Sequence, residues 1–164
     1  MKLLISSCLL GEDVRYDGAN SSIAMGAKFR FSQKELFMDI LCDNEIYSFC
    51  PEVSGGLSIP RDPAELTSKE KPFKVQTADG TDVTINFLMG AKNALDLCKE
   101  EGITVALLKS KSPSCGNAEI YDGTFSEKLV KGQGLNAKLL EENGVTIFNE
   151  HQLNELNKFI KANR

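Results

Sequence analysis

A chain of 164 residues, 41% hydrophobic and 26% charged, is long enough to bury one ordinary core and too balanced in composition for extended disorder. Its net charge of −4, without a long basic run, excludes the electrostatic footprint of a nucleic-acid-polymer binder. No apolar run approaches the roughly 20 residues of a membrane span, so a single cytoplasmic domain over residues 1–164 is expected.

In chain order, residues 2–7 (KLLISS) form a short apolar run bounded by turn signals, as a buried strand does. Ser32 followed by Glu35 is a capping-box pattern, and Leu36, Phe37, Ile40 and Leu41 then trace a helical stripe. Residues 45–49 (EIYSF) read as a second strand. Residues 51–72 hold Pro51, Pro60, Pro63 and Pro72 with Gly55-Gly56 and no sustained period, which predicts an ordered loop over a site. Phe87, Leu88, Ala91, Ala94, Leu95 and Cys98 place a helix over 84–101, stopped by Gly102. A strand at 103–108, a helix at 135–142, a strand at 145–148 and a helix at 150–161 complete the pattern. Alternating strands and helices predict an α/β fold, a three-layer domain with a mostly parallel sheet flanked by helices.

Five cysteines is an odd number, and a reducing compartment favours thiols or metal ligands over disulfides. Cys8, Cys50 and Cys115 each follow a short apolar run and adjoin glycine, proline or serine. The ends of parallel strands converge on one crevice, so three such thiols are expected to meet there. Their spacings match no local metal signature, so this inference rests on the fold. Soft sulfur ligands select zinc, copper(I) or an iron-sulfur cluster, and three ligands leave one position open. Cys42 and Cys98 read as packing residues.

Glu52, two residues after Cys50, is the best general acid/base candidate, against a plain role in holding the Gly55-Gly56 loop. Ser112 and Ser114 flank Pro113 before Cys115, and either cap backbone or donate to a bound heteroatom. Arg61 either binds a carboxylate or pairs with Asp62 or Glu65, and the ion pair is the expectation. Lys109 either faces the crevice or is solvated. The only histidine, His151, falls in the last predicted helix, far in sequence from every cysteine, which weakens a Cys-His or Ser-His mechanism. No G-x-x-x-x-G-K-[ST] or G-x-G-x-x-G supports nucleotide binding. The residues alone leave an enzyme and a non-catalytic metal-binding or sulfur-carrier module both open.

Four motifs in order then narrow the reading: CLLGEDVRYDG (residues 8–18), CPEVSGGLSIPRDPAE (50–65), DVTINFLMGA (82–91) and LKSKSPSCGNAEIYDGTF (108–125). With them the chain resembles the DUF523 family, the family of the thiouracil desulfidases. The resemblance implies a 4Fe-4S cluster on Cys8, Cys50 and Cys115, with one iron open to the sulfur of a small thiolated nucleobase. It implies hydrolysis of that C–S bond to uracil and sulfide without net redox change, with Glu52 and Ser112 as the catalytic pair. An exposed cluster of this kind is expected to be vulnerable to air.

Overall fold

A computed structural model describes Met1–Arg164. Its central sheet joins β1 (Lys2–Ser6), β2 (Glu45–Phe49), β5 (Val105–Leu108) and β8 (Thr146–Asn149) in the order β2-β1-β5-β8, all parallel. Parallel neighbours need crossovers, and the crossovers here carry α1 (Phe31–Asp43), α3 (Thr84–Glu101) and α4 (Leu135–Glu142). The terminal helix α5 (Leu153–Ala162) follows β8.

Side chains alternate across a strand, so the sheet feeds two cores. Leu3, Ile5, Val105 and Leu107 point to one face, where Phe37 and Ile40 of α1 and Leu153, Leu156 and Ile160 of α5 cover them. Leu4, Ala106 and Leu108 point to the other, under Ala94, Leu95 and Cys98 of α3 and Ala137 and Leu140 of α4. The architecture is therefore the expected three-layer α/β arrangement. No helix is long and apolar enough to cross a membrane.

Several local expectations are corrected. Residues 51–72 are not a loop throughout: they open with the short helix α2 (Pro51–Ser54), and β3 (Ala64–Ser68) pairs antiparallel with β4 (Lys74–Thr77). A second hairpin, β6 (Glu119–Tyr121) with β7 (Leu129–Lys131), gave no sustained apolar period. The first helix starts at Phe31, where Gln33 Oε1 accepts the Arg30 N–H at 2.9 Å, so the Ser32/Glu35 pair lies inside the helix rather than capping it. Leu88 is 43% exposed, and Gly90 takes its place on the buried face of α3. Gly90 is there because a Cβ would lie 1.9 Å from the Pro51 carbonyl oxygen, so α2 rests directly on α3. The last helix starts at Leu153, which leaves Glu150 and His151 in the turn before it. Cys98 packs as expected, whereas Cys42 is exposed.

Candidate active site

The strand order reverses direction about β1, whose sequence successor β2 lies on one side while β5 lies on the other. Ligands of open α/β sheets collect outside the carboxyl ends of strands at such a switch point. β1 and β2 are in register from Lys2↔Glu45 to Ser6↔Phe49, so the chain leaves both strands at one level. Cys50 is the first residue after β2, and Cys8 sits in the single 3-10 turn Ser7–Leu10 after β1.

Cys115 is not at a strand end as the sequence suggested. It lies beyond β5 in a turn that the start of α4 holds in place. The N–H groups of Leu135 and Asn136 would lack partners within the helix. They donate instead to the carbonyls of Pro113 (3.0 Å) and Ser114 (2.9 Å), and Gly134 N–H donates to Gly116 (2.8 Å).

The three thiols form one group. Burial pushes Cys8 up to about 12, and the charges of Cys115 and Cys50 add to that rise while Lys109 opposes it. Burial likewise raises Cys115 to about 11, against the nearby Ser6 and Ser114 hydroxyls, with Cys50 again adding to the rise. Cys50 is raised by burial as well, against the backbone at the start of α2. Each sulfur thus feels its neighbours. Yet no three His, Cys, Asp or Glu side chains stand close enough to hold one metal ion. An all-sulfur donor set suits iron-sulfur chemistry. The three cysteines thus fit a cluster by the chemistry of their donor atoms.

Beside the thiols runs a chain of polar contacts. Glu52 Oε2 accepts the Ser114 hydroxyl at 2.8 Å, and Ser114 Oγ lies 2.8 Å from Ser112 Oγ. A hydroxyl has one proton, so once Ser114 donates to Glu52 the remaining bond must run from Ser112 to Ser114. Ser112 Oγ also accepts the N–H groups of Ser114 and Cys115, each at 3.1 Å, and so fixes the turn. Both readings of these serines hold together: Ser112 caps backbone, and Ser114 faces the carboxylate. Contact with Glu52 belongs to Ser114, with Ser112 one link behind.

On its other side Glu52 Oε1 accepts Arg61 Nε at 3.2 Å. Arg61 therefore pairs with neither Asp62 nor Glu65. Its guanidinium also donates to the carbonyls of Ser58 (3.1 Å) and Val14 (2.9 Å), which ties the proline-rich segment to the turn after Cys8. Glu65 instead accepts Gly123 N–H at 2.9 Å. A cleft of ≈ 480 Å³ opens here, lined by Glu52, Arg61, Leu57, Thr77, Thr81 and Val83. It touches Glu52 but none of the three cysteines.

Lys109 is not free in solvent. Its Nζ donates to Glu150 Oε1 at 2.7 Å, and Ser110 N–H and hydroxyl donate to the same carboxylate at 2.8 and 2.7 Å. Burial pushes the Glu150 carboxyl up, but the Lys109 charge and these bonds outweigh it and hold it below the ordinary value. His151 is exposed and 3.8 Å from Glu150, and it takes no part in the cysteine group. Sequence reasoning missed Glu150 and Asn136. Neither stands in a motif, and only the fold brings them near.

The family model of 2-thiouracil desulfurase matches residues 3–152. The chain belongs to this family. The uncharacterized protein YbbK of Bacillus subtilis (strain 168) is 36% identical over 160 residues, covering 94% of this chain and 99% of that protein. Among solved structures, the 4Fe-4S-dependent thiouracil desulfidase TudS (DUF523Vcz) superposes with a TM-score of 0.83 and 40% identity over 98% of each chain. The DUF523 resemblance carried by the four motifs therefore holds over nearly the whole chain.

Proposed function

We propose that the protein is an iron-sulfur-dependent desulfidase that hydrolyses the C–S bond of a thiolated pyrimidine such as thiouracil. Family membership and the likeness to TudS, itself 4Fe-4S-dependent, support this reading. The observation that carries it is the set of three thiols, Cys8 and Cys115 buried and Cys50 partly so, beside the Ser112–Ser114–Glu52–Arg61 chain. The thiocarbonyl and one water give the carbonyl compound and hydrogen sulfide, so no electron is transferred overall.

Cys8, Cys50 and Cys115 would hold a 4Fe-4S cluster with one iron left without a protein ligand. When bound, the cluster supplies a Lewis acid for the substrate's sulfur. The chain's own residues handle protons and position. Glu52, an acceptor with a lone pair to spare on each oxygen, takes a proton from the attacking water. Arg61 holds that carboxylate from behind, so it cannot swing away as its charge changes. The ordered Ser112-to-Ser114-to-Glu52 line passes a proton toward the carboxylate or returns one after it. The neighbouring cleft falls within the roughly 300–1,000 Å³ typical of small-ligand sites and gives a base room to approach Glu52.

Anaerobically reconstituted protein is expected to release sulfide and uracil from 2-thiouracil or 4-thiouracil in proportion to its cluster content. Protein that takes up zinc but no iron would overturn the reading in favour of a non-catalytic metal site. A loaded cluster inert toward thiolated bases and nucleosides would overturn the substrate class.

A further inference from the structure

Asn136 is a buried amide with half of its chemistry unmet. It is 1% exposed, and its Oδ1 makes no hydrogen bond. Buried polar groups are nearly always satisfied, and an exception in a well-packed interior needs a reason. Leucine or methionine would fill this position in α4 without that cost. The other half of the amide supplies the reason, because Nδ2 lies 3.9 Å from Cys115 Sγ. The flipped amide would aim its oxygen at the sulfur and orphan two N–H donors instead of one carbonyl, so the donor faces the sulfur.

Asn136 does not act alone. Ser6 Oγ accepts Lys109 N–H at 3.0 Å, so its single proton is free to point at Cys115 Sγ, 3.5 Å away. Ser114 Oγ also lies 3.7 Å from that sulfur, but its proton is committed to Glu52 at 2.8 Å. Cys115 thus has two dedicated donors, from β1 and from α4. No side chain donates to the sulfur of Cys8 or Cys50. The three thiols look equivalent in the sequence, and the fold makes one of them different.

We infer that Asn136, with Ser6, is a positioning residue that stabilises negative charge on the Cys115 sulfur and thereby raises the reduction potential of the bound cluster. Donors to a cluster's sulfurs favour its more negative, reduced state, and they draw charge away from the irons. For hydrolysis without electron transfer the benefit is the second effect, a more electron-poor iron. The inference rests on the cluster reading above and adds a role for residues outside the cysteine and glutamate motifs.

The test compares wild type, Asn136→Leu and Ser6→Ala, each reconstituted anaerobically, by iron and acid-labile sulfide counts and by the midpoint potential of the cluster. Both variants are expected to load iron as wild type does, with the midpoint shifted to more negative potential. Apo Asn136→Leu is expected to melt no lower than apo wild type, since a purely structural asparagine would cost stability when lost. Loaded variants with an unshifted potential would overturn the inference, as would a folded Asn136→Leu protein that no longer loads, because the amide would then be shaping the site. Should Asn136→Leu fail to fold, the Ser6→Ala potential decides alone. Wild type that takes up no iron would instead remove the cluster reading itself.

Discussion

Replacing Glu52 with glutamine changes the proposed base while keeping its shape. In the wild type each carboxylate oxygen has a partner, Arg61 Nε at 3.2 Å and the Ser114 hydroxyl at 2.8 Å. Glutamine's carbonyl oxygen can keep the Arg61 bond, and its NH2 can donate to Ser114 if that hydroxyl turns round. Geometry survives but charge does not. A hydrogen bond to a charged group is worth about 1.5–3 kcal/mol, which sets the expected loss in unfolding free energy. The roughly 3–5 kcal/mol for breaking a buried ion pair is too high here, because Arg61 keeps the Ser58 and Val14 carbonyls. The rate should fall far more, by about 100-fold or more, as expected when a general base is removed. The assay is initial sulfide release from thiouracil, normalised to iron in the same sample. A Glu52→Gln protein with wild-type iron and undiminished turnover would refute the argument that Glu52 moves the proton.

Ser114→Ala removes the link between Ser112 and Glu52, and at about 1 kcal/mol for one hydrogen bond the rate should fall roughly five- to tenfold, read in the same assay. Cys115→Ser should abolish stable iron loading, whereas Cys98→Ala, whose thiol packs in the core of α3, should leave iron content unchanged and lower only the melting temperature; elemental analysis and thermal unfolding separate the two. Glu150 has a depressed carboxyl in the folded chain. Its contribution to stability is therefore full above the unfolded-state value near 4.3 and is lost as pH falls through the lower folded value. Denaturant unfolding between pH 2 and 6 should show a shallower acid limb for Glu150→Gln than for wild type.

The sequence exposed the parts of the fold that obey one period. β1 and β5, the two inner runs of the central sheet, are buried on both faces and read as continuous apolar segments, while the edge strands β2 and β8 are only partly buried. α3 and α4 end where Gly102 and Asn143-Gly144 stop them. β3, β4, β6 and β7 escaped because they are short hairpin strands with one exposed face, and β3 is hidden among prolines. The cysteines were legible because strand ends converge in this class of fold. Their partners were less so. Arg61 has Asp62 beside it and Glu65 four residues on, yet it meets Glu52, because α2 sits on Gly90 and turns that carboxylate toward the proline-rich segment. Local sequence offered two acceptors for Arg61, and tertiary packing supplied a third.

Cys8 and Cys50 are placed by sheet register, since they follow adjacent strands that end level. Cys115 has no such support, and its place depends on how closely the turn 113–116 meets the start of α4. Gly134 sets that distance. A Cβ there would lie 2.4 Å from the Ser114 carbonyl carbon, 2.5 Å from its oxygen and 2.8 Å from Cys115 N. Gly134 has φ −66°, a value any residue adopts, so a Gly134→Ala substitution carries no backbone strain and acts through contact alone. Overpacking of this kind costs about 1–3 kcal/mol, too little to unfold a domain of ordinary stability, and the turn is the part free to give. Gly134→Ala should therefore keep the far-ultraviolet circular dichroism of the wild type while losing most of its iron, because one ligand of three has moved. A Gly134→Ala protein with full iron and full sulfide release would mean that the cysteine turn tolerates displacement and that Gly134 does not set the place of Cys115.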